Sequence, residues 1–141
     1  MDVEINFWAV IAATFVSFVV GFIWYLPQVF GERWRKLVGM DKKTWEKGPG
    51  SRGWAQTVVG AFLQAYALAH VTYLSYVFFN GATFFNSALT TAGWMWLGFQ
   101  LSLFLTHDSF EHKTSQLTAI KAGSQFLTLM GMGLVIGLIG L

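Results

Sequence analysis

Six consecutive residues, His107-Asp108-Ser109-Phe110-Glu111-His112, form the densest titratable cluster of the chain. On a helix His107 and Glu111 share one face and Asp108 and His112 another, each pair four positions apart, so either pair is a candidate grip for a divalent cation. The spacing matches neither His-Glu-x-x-His nor its inverted form, and a solvated connection is expected to be polar in any case, so whether a metal is bound stays undefined. Glu111 has a second role open to it, an ion pair with basic residues of an earlier loop. A sparser set of candidates lies in apolar sequence: Gln64, His70, Gln100 and Gln125. Polar groups in hydrocarbon need partners, and His70 is by default a proton-relay, metal or haem candidate. Tyr73, one turn away, supports the plainer role of a hydrogen-bonded structural group. The glutamines suit hydrogen bonds between helices or, if they face one cavity, a solute site. Gln64 and His70 lie about 120° apart around a helix of ~3.6 residues per turn, a poor arrangement for a single-faced path. No nucleophile elbow, phosphate-cradling glycine loop, haem-attachment motif or paired catalytic carboxylates occur.

These residues are set in a chain that is 55% hydrophobic and only 11% charged, against about 25% charged in an average soluble domain. Its mean hydropathy is +0.52, and its surface polarity is too low for a soluble fold of 141 residues. Four apolar runs, at about 7–26, 54–79, 86–106 and 117–141, each approach or exceed the ~20 residues needed to cross a bilayer. The expected fold is therefore all-α: one membrane domain over 1–141, four transmembrane helices in an antiparallel bundle, and a basic loop at 27–53. The first run follows Asp2 and Glu4 rather than basic residues and lacks a small-residue cleavage site, so it is expected to persist as a helix. With no cysteine, disulfides, thiolate metal sites and a cysteine nucleophile are excluded. No cofactor is called for.

Charge orients the bundle. Seven of the nine basic residues lie between the first two spans (Arg33, Arg35, Lys36, Lys42, Lys43, Lys47 and Arg52), and Lys113 and Lys121 flank the last connection on the same side. The positive-inside tendency then predicts both termini outside the cytoplasm, in a multi-pass protein of a bacterial inner membrane. Phe30, Trp34, Leu37 and Val38 at i, i+4, i+7, i+8, with Arg33, Arg35 and Lys36 between them, predict a short interfacial helix whose natural contact is anionic lipid. No nucleic-acid fold fits in this segment, and nucleic acid is not an expected partner.

The run Gly21-x-x-Trp24-Tyr25-x-Pro27-x-x-Phe30-Gly31-x-x-Trp34 ends an apolar helix in aromatics, proline and positive charge. It reads as a helix surfacing: Trp24 and Tyr25 at the interfacial belt, Pro27 ending the helix, Phe30 and Trp34 on lipid. This order resembles the small four-helix membrane proteins grouped as the domain-of-unknown-function 1761 family. Gly98-Phe99 and Phe110-Glu111 resemble that family's second half, although His112-Lys113 departs from its usual double-basic, proline-tryptophan continuation. The resemblance implies a four-helix membrane architecture over most of the chain and implies no activity.

Gly21-Phe22 leading to Phe30-Gly31-Glu32-Arg33 is echoed by Gly98-Phe99 leading to Phe110-Glu111-His112-Lys113, and Gln64 by Gln125. Such an echo would relate two parallel halves by an axis along the membrane normal. Gly133-x-x-x-Gly137 supplies a small-residue face for close helix packing, expected first within the chain and otherwise in a homo-oligomer or larger membrane complex. Three classes of function stay open. The favoured one is a structural or interaction protein that binds lipid or other membrane proteins. The alternative is a small-solute transporter or channel, and an enzyme acting on lipid or quinone is the least favoured.

Overall fold

The computed structural model describes residues 3–141; Asp2, half of the acidic pair expected before the first span, lies outside the described residues. The described chain is helical, with no strand. Helix α1 (Phe7–Trp24) is followed by a π-helical turn (Pro27–Gly31), then α2 (Glu32–Val38), α3 (Lys42–Lys47) and α4 (Gly50–Phe78). The third span runs from Phe84 to Phe110 as α5 (Phe84–Met95), a π-helical segment (Trp96–Leu101) and α6 (Ser102–Phe110), and α7 (Ser115–Ile139) completes the bundle. Four helical stretches are long and apolar enough to cross a membrane. Large apolar side chains point outward over the whole surface, among them Trp8, Phe15, Phe22, Phe78, Trp94 and Phe110. An aqueous protein rarely exposes such an area, whereas lipid covers it without cost. The protein is a multi-pass membrane protein.

Side chains start the helices where the sequence offers a cap. Asn6 accepts from the backbone N–H groups of Trp8 and Ala9, Asp41 from Thr44, Thr83 from Asn86 and Thr114 from Leu117. Each satisfies an N–H that the helix itself cannot, worth about 1 kcal/mol. Pro27 follows the end of α1 by three residues, and the turn it opens closes with the N–H of Gly31 donating to the Leu26 carbonyl at 2.9 Å. Gly31 is required there: a Cβ would fall on the carbonyl oxygen of Tyr25.

The second and third spans each extend four residues past one of the limits drawn from hydropathy. The second starts at Gly50, not at Trp54, because Gly48 and Gly50 both take positive φ and set the turn immediately before it. The third continues through His107 and Asp108 to Phe110, because the polar end of the helix finds partners described below. The spans form a ring in which α1 packs on α4 and α7, and α5 on α4 and α7. Short turns at 79–83 and 111–114 make successive spans antiparallel.

The tightly packed core occupies the half of the bundle remote from the basic loop. It is built from Val10 and Ala13 of α1, Ala65 and Leu68 of α4, Ala88 and Ala92 of α5, and Leu129, Met132 and Ile136 of α7. Without a hydrophobic drive between helices in lipid, close backbone approach supplies the packing energy. At Gly133 a Cβ would stand 2.9 Å from both the Ala88 carbonyl oxygen and the Ala92 Cβ, and at Gly137 3.0 Å from Phe85 Cα. Gly133→Ala is therefore expected to lower the unfolding free energy by about 1–2 kcal/mol, read from denaturant unfolding in detergent.

Candidate functional site

Toward the basic end, α1 and α4 separate and the polar candidates come together. Along α4, Thr57, Gly60, Ala61 and Gln64 follow i, i+3, i+4, i+7 and share one face; Ser17 and Gly21 of α1 and Ser124, Gln125 and Thr128 of α7 face the same space. These side chains are small or short, so the three helices leave a cavity of ≈ 970 Å³. Residues of the loop line its basic end, with Trp34 of α2 and Thr44 and Trp45 of α3 among its walls. Phe18, Phe22, Tyr25 and Trp54 add further aromatic surface. Neither Gly21 nor Gly60 has an atom within 4 Å of the position a Cβ would take, which places open space in front of both.

Gln64 Nε2 donates to Gln125 Oε1 at 3.3 Å, bridging α4 and α7 at the cavity. Each amide has two N–H donors and one carbonyl, so this bond leaves one Gln64 N–H, the Gln64 oxygen and both Gln125 N–H groups unused. The hydroxyls of Ser17, Thr57 and Thr128 donate to backbone carbonyls of their own helices at 2.7–2.9 Å. Their protons are spent, and the glutamines add three free N–H donors to the wall. His70 and Gln100 are not brought to this place. His70 lies further along α4, its ring 6.2 Å from that of Tyr66, with Nδ1 buried and unpartnered. Gln100 lies half-buried in the π-helical segment of the third span.

The aromatic-proline motif folds inward as well as marking the interface. Trp24 donates from Nε1 to the Ile120 carbonyl of α7 at 3.1 Å and stacks on Phe30 at 4.4 Å between centroids. Tyr25 meets Trp34 edge-on at 5.4 Å. Phe30 and Trp34, expected on lipid, are thus half-buried, because the π-helical turn directs α2 back over the bundle. Trp96 repeats the device from the third span, donating to the Ala122 carbonyl at 2.8 Å. Pairing an indole N–H with a helix carbonyl satisfies a donor that lipid cannot.

The basic loop is fastened by its own charges. Arg35 donates from Nε and Nη2 to the two carboxylate oxygens of Glu32 at 3.0 and 2.7 Å and from Nη1 to the Met40 carbonyl at 2.7 Å. With its amide oxygen turned toward the loop, Gln116 at the start of α7 accepts from the Arg33 guanidinium. The hydrogen bonds from Arg35, more than the nearby positive charges, hold the Glu32 carboxyl down from 4.5 to about 2 against a smaller desolvation effect. A depressed carboxyl stabilises the fold fully above its ordinary value of 4.5 and loses that contribution progressively as pH falls from there to about 2, although in the folded protein the carboxyl itself stays ionised until about 2. The emission of Trp34, one residue from the clamp, is accordingly expected to stay constant from neutral pH to about pH 3.

The cluster at 107–112 divides. Asp108 is buried, with Oδ1 accepting from Lys121 Nζ at 2.6 Å and Oδ2 from the Thr118 hydroxyl at 2.7 Å. Lys121 Nζ also lies 5.0 Å over the centre of the Phe104 ring. His107, Glu111 and His112 are exposed, and Glu111 reaches Lys113 at 4.0 Å rather than a residue of the first loop. No three metal-ligating side chains converge among the described residues. The sequence places Lys121 beside the last connection, on the side of the basic loop, but does not identify Asp108 as its partner. The signal is the short turn at 111–114, which makes α6 and α7 a hairpin and aims a lysine on the second arm at the first.

A family model described as a protein of unknown function (DUF1761) matches residues 8–137, which takes in nearly all of the four spans and every residue that lines the cavity. No curated protein and no solved structure matches the chain.

Proposed function

The chain belongs to the DUF1761 family, whose description carries no activity to transfer, and from its own geometry we propose that it binds an amphiphilic lipid within the bundle. The observation that carries this reading is the cavity of ≈ 970 Å³ between α1, α4 and α7, floored by neutral polar groups and walled by aromatic ones. Its volume lies at the upper end of the roughly 300–1,000 Å³ range of small-molecule sites. An amphiphile satisfies the amides at one end and keeps its tail in apolar surroundings. The cavity stops at the packed core around Leu68 and Met132, which supports binding over passage from one side to the other.

In this reading the basic loop lies on the cytoplasmic side of a bacterial inner membrane, against anionic headgroups, with both termini outside. Single cysteines at Lys43 and Ala82 report this directly in a chain that has none of its own. An impermeant thiol reagent applied to intact cells is expected to label position 82 and spare position 43; the reverse pattern overturns the orientation. Transport is the second reading, favoured by the Gln64–Gln125 bridge between two spans. Solute flux into liposomes that vanishes with Gln125→Leu would replace binding by transport. The binding function itself is tested by retention of lipid through purification in wild-type protein and its loss when the cavity is filled.

A further inference from the structure

We propose that the ligand of this cavity is an uncharged lipid with a carbonyl-bearing ring, of the isoprenoid quinone class, its head at Gln64 and Gln125 and its tail leaving between α1 and α4. The inference rests on the lipid-binding reading above and names the chemistry of the occupant.

The electrostatics of the wall exclude the commonest membrane lipids from the chamber itself. Of the side chains that line it, none is charged at neutral pH. A phosphate drawn in would lose water without gaining a counter-charge, a cost of several kcal/mol or more. The guanidinium groups flanking the wall residue Trp34 are engaged elsewhere, Arg33 with Gln116 and Arg35 with Glu32 and the Met40 carbonyl, while Lys43 and Lys47, beside the wall residues Thr44 and Gly48, are exposed and do not line the chamber. A neutral head fits.

The hydrogen-bonding capacity then selects among neutral heads. The unused groups of the glutamine pair are three N–H donors and one carbonyl, while the neighbouring hydroxyl protons of Ser17, Thr57 and Thr128 are already given to backbone. A surplus of uncharged donors suits a ligand whose head consists of acceptors, as quinone carbonyls do, and suits a sugar or polyol poorly. The aromatic rings of Phe18, Phe22, Trp34, Trp45 and Trp54 surround the space, and a flat conjugated ring is the shape that such walls contact over the largest area.

A route for the tail lies beside the chamber. A trough of ≈ 430 Å³ runs between α1 and α4, bounded by Ile11, Phe15, Val58, Phe62 and Leu63 and almost wholly apolar. Phe18 borders both the trough and the chamber. Most of the trough's side chains are exposed on the lipid-facing surface, so a ring could enter sideways from the bilayer while an isoprenoid chain stays in hydrocarbon.

The test is a titration of the full-length protein, purified and delipidated in mild detergent, with decyl-benzoquinone, followed by quenching of tryptophan emission. Wild-type protein is expected to quench saturably, with phosphatidylglycerol and diacylglycerol failing to reverse it. Gln64→Leu/Gln125→Leu should weaken the quinone by about tenfold, the loss of one or two hydrogen bonds. Gly60→Phe should abolish saturation, with Gly21→Leu as a second block should the first variant not elute as a folded species. Gly93→Phe, at an open position outside the cavity, should leave binding unchanged. Failure of quinone to bind, displacement by phosphatidylglycerol, or indifference to the double glutamine change overturns the quinone assignment. If wild-type protein nonetheless retains another lipid that Gly60→Phe excludes, the lipid-binding reading stands; if Gly60→Phe alters the retention of no lipid, both fall.

Discussion

Gly60→Phe is expected to weaken lipid binding by at least about 100-fold, equivalent to about 2.7 kcal/mol, while the protein stays folded. The two halves of this result have separate causes. Gly60 lies on the cavity wall between Thr57 and Gln64, and a Cβ built there meets nothing within 4 Å. A benzyl group can therefore enter the chamber without displacing a neighbouring helix, and it occupies the volume the ligand needs. In the helix itself, replacing glycine restricts the unfolded backbone and improves propensity by a few tenths of a kcal/mol. Stability should be equal or slightly higher. Equilibrium binding of a retained or added lipid, with unfolding followed in parallel, separates lost binding from lost fold.

The largest loss of stability is expected from Asp108→Ala, about 3 kcal/mol, at the low end of the cost of breaking a buried ion pair because Lys121 keeps some solvent access. The carboxylate receives both Lys121 and the Thr118 hydroxyl. Removing it leaves the Lys121 ammonium over the Phe104 ring without its counter-charge and leaves the Thr118 hydroxyl only its longer bond to the Thr114 carbonyl, at 3.4 Å. Adding Lys121→Met should recover most of the loss, since it removes the unpaired ammonium, and the desolvation of the original pair offset much of its attraction. Unfolding of the two single variants and the double variant gives the coupling directly. A double variant no more stable than Asp108→Ala alone would mean that the carboxylate acts through Thr118 and not through the lysine.

The contrast between these two places explains what could be read from the residues. A membrane protein follows from composition, because no arrangement of so apolar a chain leaves a wet surface, and four helices follow from its four apolar runs. Gln64 and Gln125 stand out as polar groups in need of partners, and their bridge is what hydrocarbon demands. The chamber beside them is not legible in the same way. Thr57, Gly60 and Ala61 form a stripe of small residues, and small residues ordinarily mean that two helices touch, as they do at Gly133 and Gly137. Whether such a stripe closes or stays open depends on where α1 stops and how the π-helical turn at Pro27–Gly31 carries the loop over the bundle. That is a property of tertiary geometry. Asp108 illustrates the same limit: within its own segment it resembles its exposed neighbours, and only the hairpin of α6 and α7 gives it Lys121.

The most direct test of the central claim is native mass spectrometry of the protein extracted in mild detergent from the membranes in which it was made. The wild-type chain and Gly93→Phe should each carry one lipid-sized adduct that survives gentle activation, and Gly60→Phe should carry none. A wild-type chain without such an adduct, or a Gly60→Phe chain that holds it as firmly as wild type, would contradict the assignment of the cavity as the binding site.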